Sequence, residues 1–126
     1  VVDQVPHHEG GLGEVLVREQ FRGGLRQLQG RDLRGGLQHA AEPGGFTVGA
    51  GTTDDDGRLK DFVLAGSPLP VGTYRLRFDT RQYFGRSQRE TFFPEVAVVF
   101  RVTACDQHYH VPLLVSPWSY STYRGS

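Results

Sequence analysis

Thr73-Tyr74-Arg75-Leu76-Arg77-Phe78-Asp79 is the stretch whose reading decides the fold. Tyr74, Leu76 and Phe78 alternate with Arg75 and Arg77, and successive side chains of a strand point to opposite faces. The alternation predicts a strand with one buried and one wet face, as in an antiparallel sheet. Downstream, Glu95 to Thr103 repeats the pattern, with Val96, Val98, Phe100 and Val102 on the buried side. Between the two, Thr80 to Glu90 is polar apart from Tyr83 and Phe84 and reads as a short helix or long connection, opened by Asp79 or Thr80 as a cap. Upstream, Asp54-Asp55-Asp56-Gly57 is a turn, because glycine supplies a positive φ and aspartates bond their own backbone. Pro68 to Gly72 is a second break. Short strands separated by turns predict a mainly β chain, an antiparallel β-sandwich with one short helix.

At 126 residues the chain suits one domain. Its 14 Lys and Arg balance 14 Asp and Glu, so no global field draws it to nucleic acid or to an anionic membrane. The single cysteine, Cys105, excludes an internal disulfide framework and reads as a small residue near a strand end. No apolar run approaches the ~20 residues of a membrane span, and the first residues lack the basic-then-apolar order of a secretory signal. The expectation is a soluble protein.

The composition breaks near residue 46. Val1 to Phe46 contains no Ser, Thr, Tyr, Trp or Lys, yet holds ten of the 17 glycines. Val17, Phe21, Leu25 and Leu28 fall at helical spacing, but Gly23-Gly24 interrupts them at a cost of roughly 1 kcal/mol per glycine. Residues 1–46 are therefore expected to form an atypical, loosely structured segment, and residues 47–126 the β-sandwich. So abrupt a loss of residue types fits a segment joined from elsewhere or read in another frame.

Two constellations carry chemistry. In a strand, His108 and His110 share one face while Tyr109, Val111, Leu113 and Val115 share the other. Spacing alone leaves the pair open as surface histidines, metal ligands or acid-base groups. The tail from Tyr120 to Ser126 is small and polar and would ordinarily fray, but Trp118, Tyr120 and Tyr123 carry aromatic surface that normally finds something to bury against. Arg58, just after the Asp56-Gly57 turn, is either solvated or a grip for carbonyl or anionic oxygens. There is no phosphate-binding glycine loop and no Gly-x-Ser-x-Gly elbow, and Asp54 to Asp56 lacks the downstream glutamate of a calcium loop.

Four pieces carry a family resemblance: Gly51-Thr52-Thr53-Asp54-Asp55-Asp56-Gly57-Arg58, Gly72 to Thr80, Phe92-Phe93-Pro94-Glu95-Val96, and the run from His108 to Tyr123-Arg124-Gly125-Ser126. From about residue 48 to 126 the chain resembles the 5-hydroxyisourate hydrolases of the transthyretin-like family. The resemblance implies a transthyretin-like sandwich that opens a ring of 5-hydroxyisourate at a cyclic amide bond, in urate degradation, with no metal or cofactor. It implies a homotetramer with a small-molecule substrate, no nucleic acid or membrane partner, and a peroxisomal or cytoplasmic setting, although Arg124-Gly125-Ser126 is not a Ser-Lys-Leu address. By matching motifs, Arg58 holds substrate and steadies developing charge, His110 is the base, and Tyr123 and Ser126 come from the closing tetrapeptide. His108, beside the signature, is a further candidate for substrate contact.

The family opens with a strand containing His-Val-Leu-Asp-Thr, which supplies a second catalytic histidine. Nothing in residues 1–46 matches it, since His7, His8 and His39 are not followed by that run. The sequence thus predicts a 5-hydroxyisourate hydrolase impaired by its first segment. The alternative is a transthyretin-like small-ligand binding protein without hydrolase activity.

Overall fold

A computed structural model describes residues 11–20, 27–40, 46–59, 69–104 and 107–125. Nine strands and one helix follow in chain order among these: β1 (Gly11–Gln20), β2 (Gln27–Gln29), β3 (Arg34–His39), β4 (Phe46–Thr52), β5 (Arg58–Leu59), β6 (Gly72–Phe78), α1 (Thr80–Gly85), β7 (Val96–Val102), β8 (His108–Ser116) and β9 (Ser119–Thr122). They build two sheets. One runs β2-β1-β8-β9, with β5 also paired to β1; the other runs β4-β3-β6-β7. All pairings are antiparallel except β1 with β8, which is parallel.

The core forms where the alternating apolar residues of both sheets meet. Tyr74, Leu76 and Phe78 of β6 are buried, as are Val96, Val98 and Val102 of β7 and Tyr109, Val111, Leu113 and Val115 of β8. Phe100 is partly buried against them. The helix follows the expected connection: Asp79 caps it by accepting the Gln82 amide at 3.1 Å, and Tyr83 and Phe84 anchor it in the core.

The Asp54–Gly57 turn also forms as read. The Asp54 carboxylate accepts the amides of Asp56 at 2.9 Å and Arg58 at 3.0 Å. Gly57 has φ +76°, and a Cβ there would lie 2.3 Å from the Val17 carbonyl oxygen, so glycine is required for both conformation and space. The Val17 amide in turn donates to the Gly57 carbonyl at 2.7 Å, which docks the turn on β1.

The segment expected to be loosely structured carries β1, β2 and β3. Val17 and Leu28 lie on strands rather than on a helical stripe, and Phe21 and Leu25 fall outside the described residues. The physical reason is tertiary. Val15 and Val17, two apart, are fully buried among the core residues, and burying two such side chains contributes at most about 3–6 kcal/mol. That is comparable with the whole net stability of a small domain, about 5–15 kcal/mol. Strand pairing joins the two sides of residue 46, because β1 pairs with β5 and β8, and β3 with β4 and β6.

One charged group lies inside this arrangement. Glu19, at the end of β1, is only 2 % exposed. The Tyr83 hydroxyl of α1 donates to its carboxylate at 2.7 Å, and Arg89 grips both oxygens, with Nη2 to Oε1 at 3.1 Å and Nη1 on Oε2. Burial pushes the Glu19 carboxyl up, but the hydrogen bonds from Arg89 and Tyr83 more than offset this and hold it below the ordinary carboxylate range. The Tyr83 hydroxyl is driven well above its usual value by burial and by the neighbouring Glu19 charge. The network ties the opening strand to the helix.

Candidate active site

β8 carries the two histidines as its alternation requires. His108 is exposed and His110 half-buried, while Tyr109, Val111, Leu113 and Val115 turn into the core. The chain then reverses at Pro117-Trp118, and β9 returns along β8 from Ser119 opposite Ser116 to Thr122 opposite Leu113. Past that point the tail keeps its course. Thr122 donates its hydroxyl to the Pro112 carbonyl at 2.6 Å, and the Gly125 amide donates to the His110 carbonyl at 2.9 Å.

This course lays Gly125 on the His110 ring. A Cβ at position 125 would stand 2.6 Å from Nδ1, so only glycine lets the tail approach this closely. Arg124 fixes the same segment from the other side: its guanidinium lies over the Tyr109 ring at 4.7 Å and donates to the Gln107 side chain at 3.1 Å. The Tyr109 hydroxyl is itself held, accepting the amides of Thr103 at 3.1 Å and Ala104 at 3.3 Å. Burial pushes that hydroxyl up, but these bonds and the nearby Arg124 charge leave it below the usual tyrosine value. His110, Tyr109, Thr122, Tyr123 and Arg124 line a cleft of about 300 Å³ together with Val98, Val99, Phe100 and Arg101 of β7.

The aromatic tail is placed differently from expectation. Trp118 and Tyr123 are 64 % and 58 % exposed, and among the described residues only Tyr120 packs on a ring, Phe93, at 5.1 Å. The tail is positioned by backbone hydrogen bonds and Arg124 rather than by buried aromatic surface. Ser126, Cys105, His7 and His8 lie outside the described residues.

Arg58 opens β5, across β1 from β8. Register pairs Arg58 with Leu16 and Leu16 with Pro112, while Leu59 pairs with Val15 and Val15 with Val111 on the buried side. Arg58 and His110 therefore belong to the outward face of one sheet, separated by β1 at about 10 Å between flanking strands. The β1 residue in register with His110 is Glu14, and no histidine occurs in β1. His39 sits in β3 of the other sheet, against the Tyr74 ring at 5.0 Å, and does not join this face. Among the described residues, no group of three or more His, Cys, Asp or Glu side chains is placed to hold a metal. Gln107, Tyr109, Arg124 and Gly125 are the contributors that sequence reasoning missed. Only the register of the tail reveals them.

Two sheets in this strand order, with a chain end folded back along β8 onto a histidine, define a transthyretin-like sandwich. The HIUase/Transthyretin family model matches residues 30–125, about three quarters of the chain, and the chain belongs to that family. The match starts upstream of the compositional break near residue 46, takes in β3 and leaves out β1. A probable 5-hydroxyisourate hydrolase of Caenorhabditis elegans is 44% identical over 103 residues, 79% of this chain and 75% of the relative. The 5-hydroxyisourate hydrolase of Mus musculus is 51% identical over 74 residues, 59% of this chain and 62% of the relative. The chain thus spans between about three fifths and three quarters of these relatives. Among solved structures, the 5-hydroxyisourate hydrolase of Klebsiella pneumoniae superposes with a TM-score of 0.71 at 29% identity, covering 90% of this chain and 99% of that one.

Proposed function

We propose that this chain hydrolyses 5-hydroxyisourate, opening the ring at a cyclic amide bond in the degradation of urate. The observation that carries the reading is the tail folded onto His110, with the Gly125 backbone against the imidazole and Arg58 on the same outward face. The similarity to relatives named as 5-hydroxyisourate hydrolases supports it.

The roles follow from the reaction. Water loses a proton as it attacks the carbonyl, and a neutral His110 imidazole is the base for that step. Negative charge then grows on the former carbonyl oxygen, and the Arg58 guanidinium stabilises it while holding the flat substrate through two donors. Tyr123 and His108 flank His110 and orient substrate through hydroxyl and imidazole. Ser126 takes a similar part by resemblance alone. No second histidine on β1 shares the proton traffic, so turnover is lower than a two-histidine site gives.

The exposed edge strands β7 and β9, with Val99 at 58 % exposure and Trp118 at the β8-β9 turn, support assembly into a homotetramer through these edges. Sedimentation equilibrium tests this, and a monomer at micromolar concentration would contradict it. For the activity, 5-hydroxyisourate is generated from urate with urate oxidase and its absorbance followed with and without the protein. The expected result is faster decay. Decay at the spontaneous rate overturns the enzyme reading and leaves the binding protein.

A further inference from the structure

The outward face of the β4-β3-β6-β7 sheet carries a concentration of positive charge, one member of which, Arg101, also borders the His110 cleft. The alternation that buries Tyr74, Leu76 and Phe78 sends Arg75 and Arg77 of β6 outward. By the same rule β7 adds Arg101, and β3 adds Arg34. Register makes them neighbours: Arg77 lies between Gly36 and Ala97, Arg75 between Gln38 and Val99, and Arg101 opposite Thr73.

Among the described residues one acid answers these four cations. Glu95 takes Arg77 through Nε at 2.8 Å and Nη2 at 2.5 Å. Arg34, Arg75 and Arg101 form no ion pair among the described residues. Since the whole chain is balanced at 14 cations and 14 anions, the excess on this face is a local separation of charge.

The face also has a place for a chain to lie. A groove of about 430 Å³ is bordered by Arg34, Arg77, Gln38 and Thr47 and floored by Gly36 and Ala50. A Cβ built at Gly36 would meet nothing nearer than the Gly49 carbonyl at 3.7 Å, so the floor is bare backbone between guanidinium groups. Asp79 and Glu95 also border the groove, but the Asp79 carboxylate is engaged in capping α1 and that of Glu95 in its pair with Arg77.

We infer that this face docks an extended, acidic segment of a partner polypeptide. All four cations are arginines, whose planar forks take carboxylates through two parallel hydrogen bonds. The outward side chains of β6 and β7 include no aromatic ring, so the stacking that holds single-stranded nucleic acid is missing there. Val99 is the single large apolar side chain those two strands expose, too little to insert into a bilayer.

The test uses the full chain and a fluorescently labelled poly-L-glutamate peptide read by anisotropy, with poly-uridylate and phosphatidylserine vesicles as competitors. Binding is expected at low ionic strength, weakening about tenfold at physiological salt and at least about tenfold in Arg34→Glu/Arg75→Glu, neither of which borders the His110 cleft. Hydrolysis of 5-hydroxyisourate by that variant should be unchanged, which separates this surface from the active site. If the charge reversal disturbs folding by circular dichroism, Arg34→Gln/Arg75→Gln is read instead, with a smaller loss expected in the same direction. No binding of the peptide, binding unchanged in the folded variant, or preferential competition by poly-uridylate or vesicles would each overturn the inference.

Discussion

β1 and β8 lie side by side, joined in parallel from Gly11 opposite His108 to Glu19 opposite Val115, yet they hold their places for different reasons. β8 carries the family's run of residues, and its neighbour carries none of it and lies outside the family match. What β1 does supply is an apolar pair at the right period, Val15 and Val17, and a buried acid that Tyr83 and Arg89 can satisfy. The difference teaches that a sheet position needs pattern and satisfied polar groups, whereas a catalytic position needs one particular side chain. The first requirement is met by β1. On the proposed assignment of His110 as the base the second is not, because the β1 residue in register with it is Glu14.

Five substitutions break or sharpen this comparison, taken from the largest effect to the smallest. Val17→Asp puts an unpaired charge in the core and should cost more than about 4 kcal/mol. Thermal unfolding by circular dichroism would then show loss of the cooperative transition, and an unchanged midpoint would mean that β1 is not bound in the sheet. Arg89→Ala leaves Glu19 buried without its main counter-charge and should cost about 3 kcal/mol, measured by urea unfolding. Because the Glu19 carboxyl is held below its unfolded value, its contribution is present above the unfolded pKa and is lost as pH falls through the folded one. Wild-type stability should therefore drop on acidification, and Glu19→Gln should flatten that part of the profile.

Gly125→Ala tests the tail against β8. The added carbon meets the imidazole and displaces the tail by about 1 Å, a shift that costs on the order of 100-fold in turnover. The unfolding midpoint should hardly move, and full activity would remove the tail from the site. The smallest change expected is a gain. Glu14→His sets a second imidazole in register with His110, and turnover should rise about tenfold, below the 10²–10⁴ of a fully positioned base. An unaltered rate would show that the β1 position plays no part in the chemistry.

Legibility followed the range of the interactions involved. Thr73 to Asp79 could be read because alternation is local, and β6 buries the expected Tyr74, Leu76 and Phe78. Asp54 to Gly57 could be read because the hydrogen bonds of the Asp54 carboxylate that shape it reach only two and four residues along the chain. β1 could not. Val15 and Val17 form a short alternation among glycines, and Val17 also fits a helical spacing, so only burial against distant strands resolves the period. The roles of Gln107 and Arg124 were hidden for the same reason, since their contact depends on how the tail runs back over Tyr109.

The sequence by itself determined the sandwich class from Thr47 onward, the short helix, the placing of His108 and His110 on one face, and the family. Each rests on local periodicity or on residues contiguous in the chain. Only the tertiary structure decided that Gly11–Gln20 fills the strand beside β8, that Gly125 lies on the His110 ring, and that four arginines gather on the opposite sheet. Those arrangements depend on strand order and register, which are set by the burial and polar satisfaction of residues far apart in the chain.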